Sequence, residues 1–336
     1  MDYNKEEMAQ KASCDLFPFF GENGKWGYVN RLGKWMIEPQ FDRTCAYKEG
    51  IGVVKVDGKY GFIDEQGKWV CKPQFAQADD FHEGLAKVRV DKGYGYIDKK
   101  GDMVIKPQYR FAFCFSEGYA FVRADWGNGF IDKTGNIAIA PQFDLVDNFH
   151  EGLAQIAVNG KWGYIDKRGE LVIEPQFDFA GDFHEGVAGV SLWVIDEVLM
   201  ESYGIDKEGN KIDCLDGFDA QSNFHEGLAG VMDPDEKWGY IDKEGYWAIE
   251  PKYDGTWDFN NGIAMVTYKD RYGYIDTKGN WVVKPQFDEA EEFENGLAMV
   301  RLGNKEGYID TEGKWVISRE CDESGTNCML PILRRY

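Results

Sequence analysis

The chain has 336 residues, and its 43% hydrophobic and 15% aromatic content argues against intrinsic disorder. Its formal net charge of −21 argues against nucleic acid or an anionic membrane surface as a partner, because both would repel it. The sequence shows neither an apolar run of about 18 residues nor a signal-peptide pattern at its start, so we expect a cytoplasmic protein.

An N-terminal extension, residues 1–24, contains one candidate strand at Phe17–Phe20. From residue 25 to residue 317 the chain repeats one unit about nine times, and a signature glycine, usually after Trp or Tyr, marks each copy. Successive signature glycines are 34, 34, 34, 34, 41, 35, 34 and 34 residues apart. The long interval places an insertion near residues 191–200, and residues 318–336 form a C-terminal tail.

Each copy predicts three short antiparallel strands, and the fifth copy is close to the consensus. Its first strand, Trp-Gly-Tyr-Ile-Asp, leads into a turn where Asp166 caps backbone amides and Gly169 takes a positive φ. Pro175 ends the second strand because proline donates no ladder hydrogen bond, and a Glu-Gly turn precedes the third strand. Several glycines and usually a proline in each copy exclude a helical repeat of similar period.

Apolar side chains project from both faces of the first strand, Trp162 and Tyr164 from one face and Ile165 from the other. Neighbouring units must therefore pack together to bury both apolar faces. The predicted fold is all-β, an open solenoid or superhelix of about nine three-stranded antiparallel units, since 34 residues is short for a four-stranded propeller blade. The alternative is a closed propeller-like toroid, in which the strand at Phe17–Phe20 and the incomplete last copy together complete one unit.

A Lys-Trp-Gly-Tyr motif occurs at residues 25–28, 161–164 and 237–240, and Pro-Gln-Phe and Phe-x-Glu-Gly follow it in phase in most copies. These motifs resemble the WG-repeat family, also called KWG repeats, over nearly the whole chain. The resemblance implies a bacterial β-repeat protein with no general enzymatic activity and a role in protein association. Copy six departs most from the pattern, because the segment from Cys214 to Phe218 replaces Pro-Gln-Phe.

No motif predicts a catalytic residue or a cofactor site, and we expect the protein not to be an enzyme. The four histidines, His82, His150, His184 and His225, share one phase. In stacked copies, His150, His184 and His225 would form a ladder that resembles a metal site. Other copies place different residues there, which favours a solvated turn, so we expect no metal: Lys48, Ser116, Asn260 and Glu294.

Two further periodic features have simple interpretations. The aspartate that follows the signature motif is explained by turn capping rather than by calcium binding. Cys71 and Cys214 occupy a phase that isoleucine fills in other copies, which predicts core positions and a reducing compartment.

Eight of the eleven tryptophans share one of two phases, which is typical of core or stacking positions. The other three are Trp126, Trp193 and Trp257, and Trp193 lies in the apolar insertion. The insertion is interpreted as a lengthened hairpin that packs on its neighbours. The alternative is a partner-binding element, for which these three tryptophans are the candidate contact residues.

The leading functional hypothesis is a non-catalytic protein–protein interaction scaffold whose acidic surface binds another protein, a basic one being the simplest electrostatic match. The alternative is a glycan or cell-envelope binding module, because exposed Trp and Tyr rings stack on sugars. Neither hypothesis requires a cofactor, and both leave the oligomeric state open.

Overall fold

The structure is a computed structural model that describes residues 15–91, 93–125, 127–194, 199–217 and 223–321. Its strands form nine small antiparallel sheets, here called blades 1–9 in chain order, of which seven have four strands and two have three. Within these described ranges, no helix has both the length and the apolar character needed to cross a membrane.

Blade 1 contains β1 (Phe17–Phe20), β2 (Trp26–Val29) and β3 (Trp35–Phe41). Blade 2 contains β4 (Arg43–Thr44), β5 (Ile51–Val56), β6 (Lys59–Asp64) and β7 (Trp69–Phe75). Blade 3 contains β8 (Gln77–His82), β9 (Leu85–Val90), β10 (Gly93–Asp98) and β11 (Met103–Tyr109). Blade 4 contains β12 (Phe111–Ala112), β13 (Tyr119–Ala124), β14 (Gly127–Asp132) and β15 (Ile137–Ile139). Blade 5 contains β16 (Leu145–His150), β17 (Leu153–Val158), β18 (Lys161–Asp166) and β19 (Leu171–Phe177). Blade 6 contains β20 (Phe179–Ala180), β21 (Ala188–Val194), β22 (Leu199–Ile205) and β23 (Lys211–Asp216). Blade 7 contains β24 (Ala229–Met232), β25 (Trp238–Ile241) and β26 (Trp247–Tyr253). Blade 8 contains β27 (Gly255–Thr256), β28 (Ile263–Tyr268), β29 (Arg271–Asp276) and β30 (Trp281–Phe287). Blade 9 contains β31 (Glu289–Ala290), β32 (Leu297–Leu302), β33 (Lys305–Asp310) and β34 (Trp315–Glu320).

Each blade is an antiparallel meander that is offset from the sequence repeat. In blade 2, β4 pairs with β5, β5 with β6 and β6 with β7. The sequence copy begins at β6, so a blade joins the third strand of one copy to the first two strands of the next. Only one residue separates the end of β7 from the start of β8. Short connections, and first strands of only two residues in most blades, allow about 34 residues to supply four strands.

The signature glycine is required by a close approach of two strands. A Cβ atom on Gly163 would lie 2.5 Å from the carbonyl oxygen of Ile173 and 2.7 Å from the nitrogen of Pro175. The register between β18 and β19 shifts at this point, so the bulged Pro-containing segment passes directly over the glycine. Gly27 and Gly273 meet the equivalent backbone atoms of β3 and β30. Most copies therefore share one backbone arrangement, whereas Gly204 of copy six faces the side chain of Leu215 instead.

The tyrosine of the signature joins neighbouring blades. Tyr164 of blade 5 is buried, and its hydroxyl donates a hydrogen bond of 2.7 Å to the carbonyl of Gly181 in blade 6. The same bond, always 17 residues along the chain, is made by Tyr28, Tyr96, Tyr240 and Tyr274. Phe62 takes this position in blade 2 and packs on Phe81 of blade 3 instead. Apolar packing and buried hydrogen bonds thus hold each blade to the next.

The ring closes where blade 9 meets blade 1. Phe17 and Phe19 of β1 share a buried cluster with Leu297, Met299 and Tyr308 of blade 9. The rings of Phe17 and Tyr308 are 5.4 Å apart, and the Tyr308 hydroxyl donates to the carbonyl of Pro18 at 3.1 Å. The chain is therefore a closed nine-bladed β-propeller, and the predicted open solenoid is wrong.

The way the ring closes also differs from the predicted alternative. β1 pairs with β2, so it completes blade 1 rather than a unit shared with the last copy. Blade 9 is complete by itself, with β31 to β34 in one sheet. Within residues 15–321, the ring is closed by side-chain packing and not by a strand shared between the two ends.

The predicted turn chemistry is confirmed in the fifth copy. One carboxylate oxygen of Asp166 accepts hydrogen bonds from the amides of Arg168 and Glu170, and Gly169 has a φ of 80°. The cysteine prediction is half right, because Cys71 is buried but Cys214 is exposed. In blade 6 the register between β22 and β23 is shifted, and Leu215 occupies the core in place of Cys214.

Replacing Gly163 by alanine is expected to lower the free energy of unfolding by about 2–3 kcal/mol, because the methyl group collides with backbone that has no free rotation. Gly160→Ala is the control, since Gly160 has a φ of 77° and nothing within 4 Å of the added Cβ. This control is expected to lose only about 1 kcal/mol. Equal losses in chemical denaturation would contradict the role assigned to the close approach.

Tyr308→Phe tests the closure of the ring. It removes the hydrogen bond to Pro18 and is expected to cost about 1 kcal/mol, or about 2 °C in Tm. Tyr164→Phe, which removes the equivalent bond between blades 5 and 6, should have an effect of similar size. In an open array Tyr308 would lie at a free end, and an unchanged Tm for Tyr308→Phe alone would contradict a contribution of the bond to Pro18 to the closure.

Candidate functional site

One tight turn recurs in eight blades, just before the second strand. In blade 6 the amide of His184 donates to the carbonyl of Val187, and Val187 donates back to His184. Glu185 and Gly186 between them have φ values of 50° and 86°. The first position of these turns, here called the histidine position, holds Lys48, His82, Ser116, His150, His184, His225, Asn260 and Glu294.

Six of these turns have a glutamate at the second position, and this side chain connects the turn to the next blade. The Glu83 carboxylate in blade 3 accepts a hydrogen bond of 2.9 Å from the amide of Gly118 in blade 4 and pairs with Lys133 of that blade at 3.0 Å. The same pair of contacts is made by Glu49, Glu117, Glu151 and Glu185. This contact explains why lysine follows the capping aspartate in several copies, because the lysine reaches the glutamate of the preceding blade.

The turns converge towards the centre of the ring. Lys48 of blade 2 forms an ion pair of 3.0 Å with Glu294 of blade 9, although blade 1 lies between them. Two side chains can meet across an intervening blade only near the axis, where the blades are closest. The imidazoles of His150 and His184 are 5.7 Å apart between ring centroids, and those of His184 and His225 are 4.9 Å apart. The histidine ladder expected from the sequence is therefore present.

The histidine ladder includes acidic residues that the sequence analysis missed. An Asp182 oxygen lies 3.4 Å from Nε2 of His150, and an Asp258 oxygen lies 3.2 Å from Nε2 of His225. The second oxygen of Asp182 accepts a hydrogen bond of 2.8 Å from the Gln155 amide. Asp182 stands two residues before a histidine in its own copy, but its approach to His150 depends on the packing of two blades. Local spacing alone does not show it.

Burial shifts the protonation of this cluster towards neutral groups. It raises the pKa of the Asp182 carboxyl above its usual value. Burial, followed by the nearby His225 and His150, lowers the pKa of His184. His184 is therefore a neutral imidazole with a free lone pair at neutral pH. That is the form in which histidine accepts a proton or binds a metal.

The three tryptophans chosen from the sequence do not form one site. Trp193 is 41% exposed at the end of β21, on the extended hairpin of blade 6. Trp257 is half-buried, and its ring packs 5.7 Å from that of Tyr272. Trp126 lies outside the described residues. Of the two tryptophans that the structure describes, only Trp193 is exposed.

Comparison with known proteins identifies the repeats. A family model described as WG containing repeat matches eight segments, residues 26–60, 60–94, 94–125, 129–162, 162–192, 238–271, 272–305 and 307–326. The matched segments leave out residues 193–237, which hold the insertion and the copy that departs most from the consensus. The resemblance drawn from the Trp-Gly motifs is confirmed. No curated protein sequence matches the chain significantly.

Solved structures show similarity of fold at very low sequence identity. A crystal structure of the eukaryotic initiation factor matches with a TM-score of 0.57 and 10% identity, covering 82% of this chain and 85% of that one. A structure of BamB from Moraxella catarrhalis matches with a TM-score of 0.41 and 11% identity, covering 80% and 95%. At these identities the first likeness concerns the fold alone.

The turn glutamates predict how stability changes with pH. Burial alone would raise the pKa of Glu49 and Glu83, but the lysine partners and backbone donors outweigh it and hold each pKa below its usual value. A carboxyl whose pKa is lower in the folded state stabilises the fold above its unfolded pKa, and this contribution is lost as pH falls through the folded pKa.

The variant Glu49→Gln/Glu83→Gln tests this dependence. It is expected to have a lower Tm than the wild type at pH 7, and the difference should shrink as the pH falls from about 5 to below 4. Glu244→Gln, at an exposed hairpin position, is the control and should track the wild type throughout. A Tm difference that does not depend on pH would contradict the role of these charges.

Proposed function

Because the chain belongs to the WG-repeat family, we propose that its nine-bladed ring is a non-catalytic scaffold that binds a protein partner. The partner proposed carries a basic surface with apolar side chains. The binding surface proposed is on blade 6, and the observation that carries it is a group of exposed apolar side chains on the extended hairpin.

The hairpin of blade 6 is longer than its counterparts. β21 and β22 pair over seven residues, from Ala188 to Val194, where equivalent strands of blade 5 pair over six. Trp193 and Met200 are paired across this hairpin and are 41% and 45% exposed. Phe179 of β20 is 47% exposed, and its ring lies 6.4 Å from that of Trp193. We call Phe179, Trp193 and Met200 the blade-6 patch.

The apolar side chains of the blade-6 patch lie beside the carboxylate of Asp178. Asp178 precedes Phe179 and accepts a hydrogen bond of 2.8 Å from the amide of Trp193. The hydrogen bond from Lys161 and then that from the Trp193 amide lower the pKa of Asp178, which is therefore ionised at neutral pH. Asp178 is already paired with Lys161 at 2.6 Å, so it is the net charge of −21 that supports a basic partner steered by charge, with the aromatic rings as anchors.

Phe179→Ala/Trp193→Ala is expected to weaken partner binding by about tenfold or more, because aromatic anchors carry much of the affinity of such interfaces. The partner is captured from source cells with the tagged full chain, identified by mass spectrometry, purified and titrated against each variant. Phe111→Ala is the matched control. Phe111 occupies the same register on blade 4, is 41% exposed and has no lengthened hairpin beside it.

Salt dependence tests the electrostatic part of the proposal. The association rate with the purified partner should fall steeply as NaCl is raised from about 50 to 300 mM, because screening removes the long-range attraction. A rate that does not change with salt, or equal binding by the double variant and by Phe111→Ala, would overturn the proposed surface. Circular dichroism and Tm establish that each variant is folded.

A further inference from the structure

The histidine cluster carries chemistry that the proposed scaffold does not use. His150 of blade 5 and Asp182 and His184 of blade 6 each offer one ligand atom, and these three atoms lie within 4.8 Å of one another. We propose that the three side chains bind one Zn²⁺ ion. This site lies at the histidine position of the turns and does not depend on binding at the blade-6 patch.

The donor set suits zinc in kind and in spacing. Two imidazole nitrogens and one carboxylate oxygen are typical ligands of a zinc site that keeps an open position. Tetrahedral ligands at bond lengths of about 2.0 Å lie about 3.3 Å from each other. His150 Nε2 and an Asp182 oxygen are already 3.4 Å apart. All three side chains are partly exposed, and binding requires the third ligand atom to move closer by rotation about side-chain bonds.

The surrounding residues hold the ligands in place. Gln155 donates a hydrogen bond to one oxygen of Asp182, which fixes the carboxylate and leaves the other oxygen towards His150. His150 ends β16 and pairs with Leu153, and the His184 backbone exchanges two hydrogen bonds with Val187. Such supporting contacts orient ligands before the ion arrives and raise its affinity.

The next histidine in the series, His225, lies near the three ligands but contacts a different carboxylate. The ring of His225 is 4.9 Å from that of His184, but its Nε2 is 3.2 Å from an Asp258 oxygen on blade 8. We therefore assign the fourth coordination position to water and not to His225. Asp258 adds negative charge beside the three ligands, which favours a divalent cation.

Blade 3 provides an internal comparison. Its Asp80-Phe81-His82 sequence is identical to Asp182-Phe183-His184 of blade 6. The neighbouring blades, however, place Lys48 and Ser116 at the histidine position. A second imidazole therefore comes from blade 5 at His184 but from neither neighbour at His82. His82 is a matched control for a histidine in the same turn without a partner histidine.

The experiment uses the full chain, stripped with a chelator and desalted. Zn²⁺ is titrated calorimetrically, and Co²⁺ is added as a spectroscopic probe of coordination by nitrogen and oxygen. We expect one saturable Zn²⁺ per wild-type chain, visible absorption of four-coordinate Co²⁺, and a rise in Tm with Zn²⁺. His184→Gln and His150→Gln should each weaken Zn²⁺ binding about tenfold or more and remove the Co²⁺ absorption. His82→Gln should behave like the wild type.

Two results would overturn the site. The first is the absence of saturable Zn²⁺ binding by the wild-type chain. The second is equal Zn²⁺ affinity in the wild type, His184→Gln and His150→Gln, which would assign the binding to scattered surface carboxylates. Because the apo Tm and circular dichroism of each variant are measured beside the titration, a variant that loses its fold is recognised, and Asp182→Asn then replaces it with the same expected loss.

Discussion

Every blade has two apolar faces, and the need to bury both faces governs this structure. Ile165 on one face of β18 and Tyr164 on the other are both buried, and they belong to two different clusters, one shared with blade 4 and one with blade 6. A row of such sheets with free ends would leave one apolar face exposed to solvent at each end. The ring removes both ends at once, and the cluster that contains Phe17 and Tyr308 is the place where this happens.

The signature motif can be understood from the same requirement. Its tyrosine places a ring and a hydroxyl in the interface with the next blade, as Tyr164 does. Its glycine lets the following strand bulge over the sheet at Gly163 without a collision. The aspartate after it closes the hairpin, and the lysine after that reaches a glutamate of the preceding blade. Each residue of the motif therefore serves either the sheet or its junction, which leaves the turns and the insertion free to carry function.

Sequence reasoning succeeded where a few neighbouring residues decide the structure. The turn at Asp166 and Gly169 is local, and the period of the signature glycines was enough to predict repeated β units. It failed where distant packing decides. The two residues of β4 carry no recognisable strand pattern, so the unit was taken as three-stranded. The contact between Phe17 and Tyr308 joins the two ends of the array, and no local pattern reports it.

The same contrast between features set by local sequence and features set by distant packing applies to the candidate sites. The insertion marks Trp193, which is exposed, whereas the half-buried state of Trp257 depends on its packing against Tyr272 and is not visible in the local sequence. The histidine ladder followed from a shared phase, whereas Asp182 joins it only because two blades converge. Cys214 was misplaced because a register shift puts Leu215 into the core.

Closure through the side-chain contacts of Phe17, Phe19 and Tyr308 has a consequence for how such arrays change in evolution. In a rod, duplication of one repeat lengthens the molecule and leaves existing junctions untouched. In this ring, one additional copy would alter the angle at every junction together, and the contact between Tyr308 and Pro18 would have to form at a new curvature. Gain or loss of a repeat is thus a collective change, and the copy number is constrained by circumference.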